Sequence, residues 1–189
     1  MRKFKFLREG LKSDYNGFQW TMGWWEKTEC RELCIGFNCS ESILDAFGYV
    51  KGEILAEVET RGTHFVGDDK STWAEMMIVR AWEWGKKDSV LLAIFAAELI
   101  IDIFEKKYPD DKRPRQAIEA AKNWTKDPSA AKVASAAREA GAYCAASAAS
   151  TGVYSAARAA SVARETSAGT RRKINRWLID HLEDMEEIK

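Results

Sequence analysis

Three cysteines, Cys30, Cys34 and Cys39, fall within ten residues, and His64, one of only two histidines, comes after them. Thiolates and imidazoles are zinc ligands, and structural zinc sites are usually built from paired knuckles with gaps of two to four residues. Here a single uneven cluster precedes a distant, lone histidine, so the pattern predicts no metal and assigns the cysteines to the core of a small sheet. His64 lacks a neighbouring Ser-His-Asp or Cys-His arrangement, which leaves it without a general-base role. His181 recurs in step with Ile174, Trp177, Leu178, Leu182, Met185 and Ile188, and reads as a core residue on the apolar face of a helix.

Recognition chemistry is better represented than catalysis. The chain has eight tryptophans. Trp73, Trp82, Trp124 and Trp177 are expected as core or interface anchors. Trp20, Trp24 and Trp25 crowd with Phe18 and Met22 into a segment too aromatic for one strand face to bury, and exposed aromatics of this kind are typical binding hot spots, although for any single one of them core packing is the favoured reading. A second candidate is a basic face from Arg138, Arg158, Arg164, Arg171, Arg172 and Arg176, with Tyr143 and Tyr154 available for stacking. From Lys112 to Arg176 there are 13 Lys/Arg against 4 Asp/Glu. Asp180, Glu183, Asp184, Glu186 and Glu187 then come in quick succession. Internal neutralisation is favoured over nucleic-acid binding, because lysines and arginines total 29 and so do the acids.

The elements that would position these residues divide the chain in two. Lys3–Leu7 alternates with period two, as a half-buried strand does. Asn16-Gly17 is a turn before an aromatic strand over Phe18–Met22. Ser40 or Ser42 can cap a short helix through Phe47, closed by Gly48. Ile54–Thr60 alternates again, Gly67-Asp68-Asp69 turns, and Met76–Val79 is a fourth strand. After Gly85 the period changes. A helix to about Lys107 is apolar round most of its circumference, with Glu98, Asp102 and Glu105 as a narrow polar stripe, and is expected to be buried on nearly all sides. Pro114 opens a helix through Trp124, and Asp127-Pro128 opens another. From Pro128 to Gly169, 17 of 42 residues are alanine and 7 are serine. Alanine is the best helix former but buries little area, so such helices must pack closely. Thr170–Ile188 is an amphipathic final helix. The expected architecture is therefore α+β: a small β-rich sheet domain with one short helix over residues 1–85, then an all-α, alanine-rich helical bundle over 86–189.

The start of the chain lacks an apolar h-region, and the longest apolar run, Val90–Phe104, is interrupted by Glu98 and Asp102. The expectation is a soluble protein of the bacterial cytoplasm with no membrane segment, and with its four cysteines reduced.

Three resemblances rest on particular motifs. Gly17-Phe18-Gln19-Trp20-Thr21-Met22-Gly23, Gly36-Phe37-Asn38, Leu44–Tyr49 and Ala56–Gly62 resemble an uncharacterised domain of phages and prophages with a "GFQY", "GFH", "LD–Y" and "EVE–G" pattern. Asn38 stands where that family has His. Arg113–Ala121 with the alanine-rich repeats is similar to an immunity-protein domain of bacterial toxin systems. These two imply a small mobile-element protein that binds and blocks something. The third resemblance, to ADP-ribosyltransferases, lies in the order Arg8, Asn38-Cys39-Ser40, Trp73-Ala74-Glu75. It implies that Ser40 orients a nicotinamide ribose and Glu75 activates an acceptor, but Trp73 replaces the first acid of the Glu-x-Glu element.

Two functions are thus in view. The first is a non-catalytic inhibitor or immunity-type protein, without cofactor, that contacts a bacterial or phage protein through Trp20, Trp24, Trp25, Arg158 and Arg164. The alternative is an ADP-ribosyltransferase-like enzyme or NAD binder using Arg8, Ser40 and Glu75.

Overall fold

The computed structural model describes residues 2–48, 53–127 and 168–188. The chain forms two compact units, one of Met1–Trp84 with Asn175–Lys189 and one of Gly85–Ile174.

In the first unit the strands are β1 (Lys3–Leu7), β2 (Glu26–Lys27), β3 (Phe37–Cys39), β4 (Ile54–Val66) and β5 (Ser71–Glu83), and one short helix, α1 (Ile43–Ala46), comes after β3. The sheet order is β1-β4-β5-β2, every pairing is antiparallel, and β3 also pairs with β5. Phe4 and Ser40 exchange both backbone hydrogen bonds, at 2.7 and 2.9 Å, so the circuit β1–β4–β5–β3 closes on β1. The bending this requires is supplied by the long β4–β5 hairpin, whose register shifts at Glu57/Val58 and at Arg61/His64. Such bulges bend a strand and increase its twist.

One edge of β5 is taken by β4 and the other is covered piecemeal. β3 lies against Ser71–Trp73, Thr28 donates to the Ala74 carbonyl, β2 pairs with Glu75–Met76, and Gly23 donates to the Ile78 carbonyl. The last segment of the chain completes the edge: Glu187 bridges to Trp82, and Ile188 N donates to the Ala81 carbonyl at 2.8 Å. An edge strand covered in this way offers no template for unwanted pairing.

Both faces of β1 are used. Leu7 joins Trp20, Phe37, Cys39, Ile54, Ala56, Val58, Met76, Ile78 and Ala81 in one core cluster. Phe6, on the other face, packs at 4.5 Å from Phe47 and edge-on to Trp84. Ser42 caps α1, its Oγ accepting from Asp45 N at 3.1 Å. The strand is buried on two sides, where the alternation alone suggested one.

In the second unit, α2 (Lys86–Glu98), α3 (Ile101–Lys107) and α4 (Arg113–Lys126) share a core of Val90, Ile94, Ile101, Ile118, Ala121 and Trp124. Asp88 accepts from Gly85 N at 2.8 Å and so satisfies a free donor at the start of α2. The helix α5 (Ala168–Glu183) leads back to the first unit, where His181 stands edge-on to Trp84 and stacks on Trp177 at 4.8 Å.

The sequence-based architecture needs correction. The overall class is α+β, but residues 86–189 are not the all-α bundle expected there. β5 runs on through Glu83, Asn175–Lys189 belongs with the sheet, and Glu187 extends the sheet by a β-bridge. Phe18–Met22 forms isolated bridges and no strand. The helix expected up to Lys107 is two helices, parted at Leu99–Ile100, and it is not buried all round: Ile103 is 71% exposed. The alanine-rich repeats fall at 128–167, outside the described residues.

Candidate partner-binding surface

The aromatic segment separates residue by residue. Trp20 is only 2% exposed. Its ring packs at 4.7 Å from Phe37 and 5.1 Å from Phe18, and its Nε1 donates to Ser13 Oγ at 2.8 Å. That buries both its apolar body and its polar handle, so Trp20 is a core residue and not part of a partner-binding surface. Gly23 then turns the chain at φ +70°, a conformation favouring glycine, while its N–H stays tied to Ile78. Beyond this turn Trp24 stands 66% exposed.

Trp25 is half-buried for a specific reason. The Arg61 guanidinium lies 3.9 Å from its ring centroid, in cation–π contact. Arg61 Nε also donates to Glu75 Oε2 at 2.7 Å, and Lys27 Nζ lies 3.6 Å from the other oxygen of Glu75. The register explains the grouping, because Lys27 and Arg61 both stand opposite Glu75 on adjacent strands. The result is a planar cation clamped between an indole and a carboxylate, beside an exposed tryptophan. Sequence patterns do not single out Arg61. Its one signal is the Arg-Gly step in an alternating strand, and only the pairing with β5 shows which tryptophan it meets.

Arg8, Ser40 and Glu75 do not converge. Arg8 is exposed and ion-paired to Asp14. Ser40 is buried beside Phe4, four residues before Arg8, which is roughly 13 Å along a strand. Cys39 pairs with Ser71, so Glu75 lies about four to five residues further along β5, roughly 13–16 Å. The hydrogen bond from Arg61 holds the Glu75 carboxyl below its ordinary range, aided by the charges of Arg61 and Lys27. A carboxylate so held is a poor proton carrier near neutrality.

The cysteines occupy three environments: Cys39 is buried, Cys30 half-buried and Cys34 exposed. Burial pushes the thiols of Cys30 and Cys39 up. Cys34 adopts φ +78° while its N–H donates to Thr72 Oγ1 at 2.8 Å. His64 stacks on Trp73 at 4.1 Å. Among the described residues no three His, Cys, Asp or Glu side chains gather as a metal would require. None of the described helices is long and apolar enough to cross a membrane.

In the helical unit, Arg115 makes two hydrogen bonds to Glu105, at 2.9 and 2.7 Å, and Lys122 pairs with Glu98 at 2.7 Å. Ile103 on α3, and Ile100 and Tyr108 at its two ends, are exposed. Arg158 and Arg164, expected from the sequence to bind a partner, lie outside the described residues, as do Arg138, Tyr143, Cys144 and Tyr154.

No curated protein and no solved structure matches the chain. One family model does match, over residues 83–173, a stretch that opens on the last residue of β5 and runs on through α2, α3 and α4. In that stretch the chain is similar to the family described as Imm-5 like putative immunity protein.

Proposed function

We propose that this chain is an immunity-type protein that binds and blocks another bacterial protein, and that it does so without chemistry of its own. The observation that carries the reading is the likeness of residues 83–173 to an immunity-protein family. The exposed Trp24 and the Trp25–Arg61–Glu75 clamp support it, since they set an exposed indole beside an arginine already held by two partners. An arginine already held in place loses little freedom when it meets a partner, and tryptophan and arginine are the residues most enriched at binding hot spots. The N-terminal motifs add the finer part of the proposal: a phage or mobile-element protein, acting in the host cytoplasm against a toxin or a defence protein.

The test is to recover the partner from the native bacterium, purify it, and assay its activity with and without this chain. Stoichiometric inhibition that Trp24→Ala/Arg61→Ala relieves, with the fold intact, is the expected outcome. An inhibitor unaffected by that double variant would move the contact surface elsewhere. A partner that binds yet keeps full activity would overturn the blocking role.

A further inference from the structure

Between β1 and β2 the chain folds back on itself twice. Arg8 and Lys12 exchange backbone hydrogen bonds at 2.8 and 3.3 Å around Glu9-Gly10-Leu11. Ser13 N then donates to the Phe18 carbonyl at 2.9 Å, closing a second turn over Asp14-Tyr15-Asn16-Gly17. Side chains tie the two turns together. Gln19 Nε2 donates to the Gly10 carbonyl at 2.7 Å, Arg8 is ion-paired to Asp14, and Trp20 Nε1 donates to Ser13 Oγ at 2.8 Å. Trp20 roots the pair of turns in the core, and its backbone N–H holds the Leu11 carbonyl at 3.0 Å. Leu11 is kept at φ +58°, a conformation that a residue with a side chain seldom adopts unless its surroundings impose it. Within the tip, Gly17 N donates to the Ser13 carbonyl at 3.0 Å and Asn16 Oδ1 accepts from Phe18 N at 3.1 Å.

This bracing holds up Tyr15, which is 101% exposed. Among the described residues neither its ring nor its hydroxyl has a partner. The turn is therefore fixed at every point except its largest side chain, and that side chain does nothing for the fold. Shape and charge restrict what such a tip fits. One ring on a narrow hairpin is convex, and its complement is a concave pocket. Asp14, the one charged residue among Asp14–Gly17, is neutralised by Arg8, so the tip itself offers no cation to a phosphate backbone. What remains is an apolar ring ending in a hydroxyl, which suits the apolar walls and few polar groups of a small-molecule cleft. Tyrosine has only two side-chain torsions to fix, and the backbone beneath it is already ordered, so insertion loses little freedom.

We propose that Tyr15 is a plug: the Asp14–Gly17 tip inserts its phenol into the ligand cleft of the protein that this chain blocks. The inference rests on the immunity-type reading. It adds the part of the partner that is occupied and the residue that occupies it, apart from the Trp24 and Arg61 surface.

The experiment uses the full chain and the purified partner, with tetranitromethane to nitrate exposed tyrosines and peptide mass spectrometry to follow each one. In the chain alone Tyr15 should nitrate fastest of the five tyrosines. Saturating partner should slow it roughly tenfold or more, and an excess of the partner's own small-molecule ligand should restore the rate. Tyr15→Ala should weaken partner affinity roughly tenfold or more at an unchanged melting temperature, while Tyr15→Phe keeps most of it. Nitration of Tyr15 that is unchanged in the complex overturns the proposal, and this readout needs no variant. So does protection that the partner's ligand fails to reverse, or protection produced by concentrating the chain alone or by mixed-sequence RNA. Inhibition that persists in Tyr15→Ala overturns the plug and leaves the blocking role standing. A bound partner that stays fully active overturns both.

Discussion

The sheet unit and the helical unit spend their aromatic residues differently. In the sheet unit, Trp20 and Trp82 are fully buried, Trp84 nearly so, and Phe6, Phe18, Phe37 and Phe47 pack ring against ring around them. The described helical unit has one buried tryptophan, Trp124, in a core otherwise of alanine and branched aliphatics, with Lys86 over its ring at 5.1 Å. The first core is specified by interlocking shapes. The described part of the second has one large side chain among smaller ones, with ion pairs along its surface. A surface that presents Trp24 and a clamped Arg61 needs the former kind of support, since a recognition group is only as rigid as the layer beneath it.

Four measurements would break or uphold that contrast. The largest effect is expected from Trp20→Ala, a loss of about 3–5 kcal/mol in chemical denaturation of the sheet unit. A loss below about 1 kcal/mol would mean that the aromatic layer is not tightly packed. Next comes Lys5. Burial lowers its folded-state value to about 8, below the ordinary 10.5, so between those two pH values the unfolded chain binds more protons than the folded one. Stability should therefore rise as pH increases from 8 to 10.5, by up to about 3 kcal/mol from this group. Below pH 8 the penalty is complete and constant. In Lys5→Met this rise should vanish, and unfolding curves across that pH range test it.

A smaller effect is expected from Trp24→Ala with Trp25→Ala. Partner affinity should fall about tenfold, or 1.4 kcal/mol, with little change in melting temperature, because neither ring is part of the buried core. A collapse in stability would make the segment structural. The smallest is Arg115→Ala in the helical unit. Its pairing with Glu105 is partly exposed, so the loss should stay below about 1 kcal/mol and shrink further in high salt.

Part of this architecture is legible in the sequence. A strand over Ile54–Thr60, the Ser42 cap, and the apolar face carrying Leu178, His181 and Leu182 all appear in the structure, although Leu55 is buried along with Ile54 and Ala56. The strands are longer than their patterns predict. β4 extends to Val66 and β5 back to Ser71, past two bulges that break the period-two alternation on which strand recognition depends. Trp20 and Trp24 look alike in sequence because exposure there is decided by a long-range partner, Phe37, and by a glycine turn. The break between α2 and α3 carries no glycine or proline to announce it. The contact of Arg61 with Trp25 becomes visible only through strand register, since Trp25 is 36 positions away in the chain.

The return of Asn175–Lys189 to the sheet has a consequence for the order of assembly during synthesis. The ribosome releases the five strands first, yet the Ala81–Trp82 stretch of β5 gains its second neighbour only when Glu187 and Ile188 emerge. Until then a length of strand edge stays bare, as does the face of Trp84 that His181 covers. The helical unit is thus an excursion inserted within another unit, and all of it is made before its host is finished. A stall or early stop within Gly85–Ile174 would leave a nascent sheet that is complete in strands but unsealed, the condition in which such edges pair with the wrong chain.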